Sequence, residues 1–163
     1  MNFLHSYWRM EYIENLDASK KDKNLFANLP NSGNDRKALI IYRATHSYLV
    51  LNKFPYNAGH LLAVPYREVA DLSELTDEER TDLMASIIKA KEILQQTLSP
   101  DGFNIGFNLG KAAGAGIEQH LHCHIVPRWE GDTNFMPVIG STRVLPTALD
   151  NMWQRLHDCV QNT

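Results

Sequence analysis

At 163 residues, 44% of them hydrophobic and 21% charged, the chain has the length and composition of one soluble globular domain, without the Pro/Gly excess or charge blocks of disorder. A formal charge of −3 argues against a nucleic-acid or anionic-membrane partner, which would require a dense basic surface; a small anion held by local donors is compatible with it. Cys123 and Cys159, the two cysteines, form no CxxC pair, the start "MNFLHSYWRMEYIENL" is not a basic segment followed by an apolar run, and no stretch approaches about 18 apolar residues, so the expected location is the cytoplasm.

In chain order, an aromatic-rich N-terminal arm runs into a polar loop with turn formers at Asn28, Pro30, Asn31, Gly33 and Asn34. "ALIIYR" (38–43) and "SYLVLN" (47–52) are β-branched and aromatic runs that read as a hairpin, and after the turn "FPYNAG" the run "HLLAVPYR" reads as a third strand closed by Pro65. "TDEERTDLMASIIKAKEILQQTL" switches to helical period. Thr76 and Glu79 have capping-box spacing, and Leu83, Met84, Ile87, Ile88, Lys91, Leu94 and Leu98 trace one stripe. "SPDG" ends that helix, "FNIGFNLG" alternates as a fourth strand, "KAAGAGIEQ" is a Gly/Ala-rich loop, and "HLHCHIVP" is expected as a fifth strand stopped by Pro127. "TALDNMWQRLHDCV" closes the chain as a helix with Leu149, Met152, Trp153, Leu156 and Val160 inward. The order predicts an α+β domain with a five-stranded antiparallel sheet and two main helices. The expected division is an arm and loop over 1–36, a core over 37–130 and a C-terminal loop and helix over 131–163.

Three of the seven histidines occupy alternate positions, His120, His122 and His124. In a strand such residues share one face about 6.5 to 7 Å apart, with Leu121, Cys123 and Ile125 turned to the core. Two active readings compete with a merely solvated row. Zinc needs ligands converging on one point, and the outer pair of a straight strand lies about 13 Å apart, so a zinc site would call on another ligand such as His60. Alternatively, a neutral imidazole whose other nitrogen is tied to a carbonyl or carboxylate is a covalent nucleophile, with flanking histidines donating to an oxyanion.

"HLHCHIV" resembles the His-φ-His-φ-His-φ-φ signature (φ apolar) of the histidine triad (HIT) family. "LVLNKFPYNAGHLLAVPYR" (49–67) is similar to that family's upstream strand-turn-strand, with its fourth histidine at His60 and its ribose-side asparagine at Asn52, and "FNLG" fits as well, so that the likeness covers roughly residues 38 to 130. "YWRMEYI" and "VPRWEGDTNFMPV" look like the bacterial branch similar to diadenosine tetraphosphate phosphorylases.

The resemblance implies a HIT-like fold, a homodimer, and nucleotidyl transfer on a nucleoside polyphosphate, with diadenosine tetraphosphate the first candidate and a phosphorylase slightly favoured over a hydrolase. His122 would attack phosphorus, and His120 and His124 would orient it and hydrogen-bond the phosphoryl oxygens. His60 would support them, Asn108 would contact phosphate or brace the loop, and Gly114, Ala115 and Gly116 would bring backbone donors to the anion. The family often has Gln or a small hydroxyl residue just before the triad, where this chain has Gly116 and Ile117. Trp129 is expected over the phosphate site. Leu25, Phe26, Tyr48 and Val50 are candidates for the adenine slot, and Arg128 and Lys53 for attracting polyphosphate. No metal or cofactor is implied for the chemical step. Related members often bind a structural zinc through Cys-x-x-Cys, but this chain reads "NLFA" (24–27) there, so none is expected. A nucleoside phosphoramidase, a non-enzymatic nucleotide-binding regulator and a zinc-dependent enzyme are the alternatives.

Overall fold

The computed structural model describes residues 25–132 and 147–162; the expectations for "YWRMEYI", Asn24 and "TNFMPV" lie outside them. Two four-residue helices, α1 (Leu25–Asn28) and α2 (Asp35–Ala38), precede the sheet. Five strands follow, β1 (Ile40–Arg43), β2 (Ser47–Leu51), β3 (Leu61–Pro65), β4 (Gly102–Phe107) and β5 (Cys123–Arg128). They form one antiparallel sheet in the order β1-β2-β3-β5-β4. The main helices are α3 (Asp77–Leu98) and α4 (Leu149–Gln161).

Strands β2 and β3 are buried along their whole length, because both faces of the sheet are covered. Leu49, Leu51, Leu61, Ala63, Cys123 and Ile125 share a core with Leu83, Ile87, Ala90, Ile93 and Leu94 of α3 and Met152, Trp153 and Leu156 of α4. Period two sends Tyr48, Val50, Leu62 and Val64 to the other face, where Phe26 and Ala38 cover them. Polar links fix the docking: Ser47 Oγ donates to Asp82 (2.6 Å) and lies 2.8 Å from Ser86 Oγ, and Trp153 Nε1 donates to the Ile40 carbonyl (2.9 Å).

The Thr76/Glu79 capping box forms, and Ser99 ends α3 in the left-handed region. The expected stripe on α3 shifts, however. Met84 and Ile88 are exposed at 56% and 52%, while Ser86, Ala90 and Ile93 are buried, since the sheet covers the arc centred on Leu83, Ala90 and Leu94. Strand β1 begins two residues later than predicted, because Asn34 caps α2 through Ala38 and Leu39 turns the chain at φ 59°.

The fifth strand also differs. It starts at Cys123, not His120, and continues through Pro127 to Arg128. Leu121 N–H donates to Val69 O (2.6 Å), which takes residues 120–122 off the sheet ladder. Pro127 is tolerated because β3 pairs with β5 only over Cys123–Ile125; beyond that point β4 is the one strand among the described residues that pairs with it.

Candidate active site

The site lies where β5 begins, on the face away from α3 and α4. His122 ends the segment leading into β5, and His124 is the second strand residue, paired with Leu62 of β3 and Gly106 of β4. The centroids of the His122 and His124 rings are 5.0 Å apart. Phe26 of α1 lies over this end, 5.0 Å from the His122 ring and 5.7 Å from the His120 ring. Tyr48 pins it from the sheet by donating its hydroxyl to the Phe26 carbonyl (2.7 Å). Of the expected adenine slot, Phe26, Tyr48 and Val50 come together, but Leu25 is exposed.

Hydrogen-bond partners assign the ring protons. His122 Nδ1 is 2.8 Å from the His120 carbonyl, an oxygen that can only accept, so Nδ1 carries the proton and Nε2 the lone pair. Burial lowers the His122 pKa, which the His120 carbonyl partly opposes, so the ring is neutral at pH 7. At His60, Tyr56 N–H donates to Nδ1 (3.0 Å). Asn52 adds Nδ2 to the same nitrogen (3.2 Å), its amide oriented by accepting Phe54 N–H on Oδ1 (3.0 Å). His60 therefore carries its proton on Nε2, 3.0 Å from His124 Nδ1. His124 accepts there and presents its own proton on Nε2. The Asn108 amide lies 3.4 Å from that nitrogen, and because amide oxygen and nitrogen exchange by a flip of the group, the ring N–H selects the oxygen.

His122, His124, His60, Asn52 and Asn108 are thus brought together; other expected residues are placed differently. The His120 ring is 1% exposed, its Nε2 donates to Pro65 O (2.8 Å) and its Nδ1 is buried without a partner. Burial lowers its pKa as well. What His120 gives the site is its carbonyl oxygen, because the segment leaves the ladder before the strand starts. Asn52, half-buried, reaches His60. The Gly/Ala loop contains a 3₁₀ turn, Lys111–Ala113. Gly114 N–H donates to Lys111 O (2.9 Å) and Ala115 N–H to Gly110 O (3.3 Å), so these two amides close the turn instead of facing an anion; Gly116 follows, half-buried. Trp129 directly follows the last residue of β5, five positions and about 16 Å of extended backbone beyond His124. Arg128 is held by Asp132 (2.6 and 2.8 Å) and Asn104 (2.7 Å), which leaves it a structural clamp. Lys53 lies 6.0 Å over the neighbouring Phe54 ring. Among the described residues no set of three or more His, Cys, Asp or Glu side chains is arranged to hold a metal ion.

Sequence reasoning missed Tyr56. Its ring stacks on His124 (5.5 Å, 15°) and packs on His60 (4.7 Å, 41°). An aromatic residue inside the Pro/Asn/Gly turn four positions before His60 was the available signal.

The HIT domain family model matches residues 34–131. The chain belongs to the HIT family. Among HIT relatives, the "AP-4-A phosphorylase" of Mycobacterium tuberculosis is 42% identical over 149 residues, spanning 87% of this chain and 75% of that protein. The "Bis(5'-nucleosyl)-tetraphosphatase [asymmetrical]" of Schizosaccharomyces pombe is 37% identical over 93 residues, 57% of this chain and 50% of that one. A solved hypothetical histidine triad nucleotide-binding protein of Sulfolobus tokodaii shares the HIT fold, with a TM-score of 0.67 at 22% identity over 84% of this chain and 91% of that one.

Proposed function

We propose that this chain cleaves dinucleoside polyphosphates, diadenosine tetraphosphate first among them, by nucleotidyl transfer through His122. The observation that carries the reading is the bond from His122 Nδ1 to the His120 carbonyl. It leaves an unprotonated Nε2 on a buried, neutral ring, which is the state of a nitrogen nucleophile. Nε2 attacks the α-phosphorus, an N–P bond forms, and the P–O bond to the polyphosphate breaks, its electron pair leaving with the polyphosphate. An acceptor then attacks the same phosphorus, and the N–P bond breaks to return neutral His122. The Nε2–H of His124 hydrogen-bonds a phosphoryl oxygen on which negative charge gathers in each transition state. His60 and Asn52 hold His124 in that tautomer.

Inorganic phosphate is the favoured acceptor, giving ADP and ATP; the name carried by the mycobacterial relative supports this choice over water. The step uses no metal, and no structural zinc is part of the reading. The chain acts as a homodimer. Support comes from β4, the outer strand of the sheet with one edge unpaired among the described residues and Ile105 exposed at 45%, an edge that a second copy would cover. No helix among the described residues is long and apolar enough to cross a membrane, which suits the proposed cytoplasmic location.

Product analysis on diadenosine tetraphosphate, with and without phosphate and with a chelator, tests the proposal. Phosphate-dependent ADP plus ATP is expected, lost in His122→Ala and indifferent to chelator. AMP plus ATP regardless of phosphate overturns the acceptor, and turnover that survives in His122→Ala overturns the nucleophile.

A further inference from the structure

The two cross-strand neighbours of His124 differ in what they place beside its ring. On β3 its cross-strand neighbour is Leu62, but on β4 it is Gly106, where open space stands in place of a Cβ. Gly106 therefore offers no Cβ to bound the imidazole on that side, and hydrogen bonds such as those to His60 and Asn108 leave the plane of a ring that can turn about two bonds to be fixed by packing. Groups facing His124 include His60, the His122 ring at 62° to it, Asn108 and Tyr56. Of these Tyr56 alone lies nearly parallel to the ring, at 15°.

We propose that Tyr56 is a positioning residue: its ring, laid flat against His124 and packed on His60, holds His124 in the pose and tautomer that present Nε2–H to the phosphoryl group. The proposal rests on the nucleotidyl-transfer reading for its consequence in turnover, but its geometric content stands apart from it. The turn carrying Tyr56 is itself fixed. Asn57, the next residue, donates Nδ2 to Pro127 O (3.1 Å) and to Asp132 (2.8 Å), and its carbonyl accepts His60 N–H (3.2 Å). One short segment thus supplies the N–H that sets the His60 tautomer and the ring that sets the plane of His124. Aromatic and imidazole rings in offset-stacked contact attract each other beyond simple burial, and a flat neighbour excludes the rotamers a rounder side chain would admit.

The test is imidazole ¹⁵N spectroscopy on the full chain at pH 8, where unperturbed imidazoles are neutral, beside steady-state kinetics on diadenosine tetraphosphate. Wild type and Tyr56→Phe are expected to show His124 as a single Nε2–H tautomer. In Tyr56→Leu the Nδ1–H form joins it, with kcat down about tenfold and KM within about twofold, and Tyr56→Phe restores kcat. Tyr56→Met, which fills similar volume without a flat ring, repeats the comparison should the leucine variant fold poorly. An unchanged His124 tautomer in both non-aromatic variants overturns the proposal. Absence of turnover in the wild type would instead overturn the nucleotidyl-transfer reading, and the spectra alone would then decide the role of Tyr56.

Discussion

The Asp132 carboxylate, just past the end of β5, reaches the Asn57 amide (2.8 Å) in the turn that leads to His60. The same carboxylate accepts from Nε and Nη2 of Arg128 and from the Trp129 N–H (3.1 Å). It is the knot through which the strand end holds the turn behind the histidine pair.

Asp132→Ala removes charge-assisted bonds from a side chain only 8% exposed, at a cost of about 2 kcal/mol. Denaturant titration is expected to show that loss, with a lower kcat because the Tyr56 turn loosens. Arg128 holds the Asp132 pKa down to about 2. The stabilisation is therefore present above the ordinary aspartate value near 3.9 and is lost as pH falls toward 2. A variant as stable as wild type at pH 7 would show that Asp132 carries no such load.

Burial lowers the His122 pKa below the ordinary value near 6.5. The ring is thus neutral from pH 7 upward, as the proposed nucleophile must be, and the acid limb of kcat/KM is expected below about pH 6.5. Because the unfolded chain binds that proton more readily, stability also falls as pH drops through this range. A limb above 7 in the profile would contradict the burial argument.

Phe26→Ala strips the ring that lies over His122 and admits water. The desolvation that lowers the His122 pKa weakens, so the acid limb is expected to move up toward 6.5, at about 3 kcal/mol in stability for a buried phenylalanine. An NMR titration of His122 in both proteins measures the shift directly; no movement would mean that other groups dry the ring.

Gly59 has φ +77°, and a Cβ there would stand 2.5 Å from Leu98 Cδ1 and 3.1 Å from Leu94 Cδ2. Gly59→Ala combines left-handed strain with overpacking, together about 2 to 4 kcal/mol. Since His60 is the next residue, kcat should fall along with the denaturation midpoint. Unimpaired turnover in a destabilised variant would show that the His60 pose is set independently of Gly59.

The five strands, the capped α3 and the inward face of α4 were legible because each rests on periodicity or a local cap: alternation in "SYLVL", the Thr76 and Glu79 spacing, and Met152, Trp153 and Leu156 along one helical face. His122, His124 and His60 were legible as types at a spacing. What was not legible depends on contacts between distant segments. Leu121 bonding to Val69 takes His120 out of the strand and buries its ring, and spacing within "HLHCH" carries no trace of that. The Gly114 and Ala115 amides were assigned to an anion, but a 3₁₀ turn claims them. Arg128 was a free cation on paper and is clamped by a carboxylate four residues on. Tyr56 passed for a turn residue, because its stacking partner His124 is 68 positions away in sequence.

Cys123 sits between two histidines of the site in the sequence, yet strand alternation turns its sulfur into the helix-side core, and burial pushes its thiol up to about 12. Only the thiolate reacts quickly with oxidants and alkylating agents. The histidine cluster thus has no readily thiolate-forming cysteine on its own strand: of the two cysteines, half-buried Cys159 on α4 is the one open to selective thiol alkylation, and a fall in turnover under such alkylation would be traced to that helix.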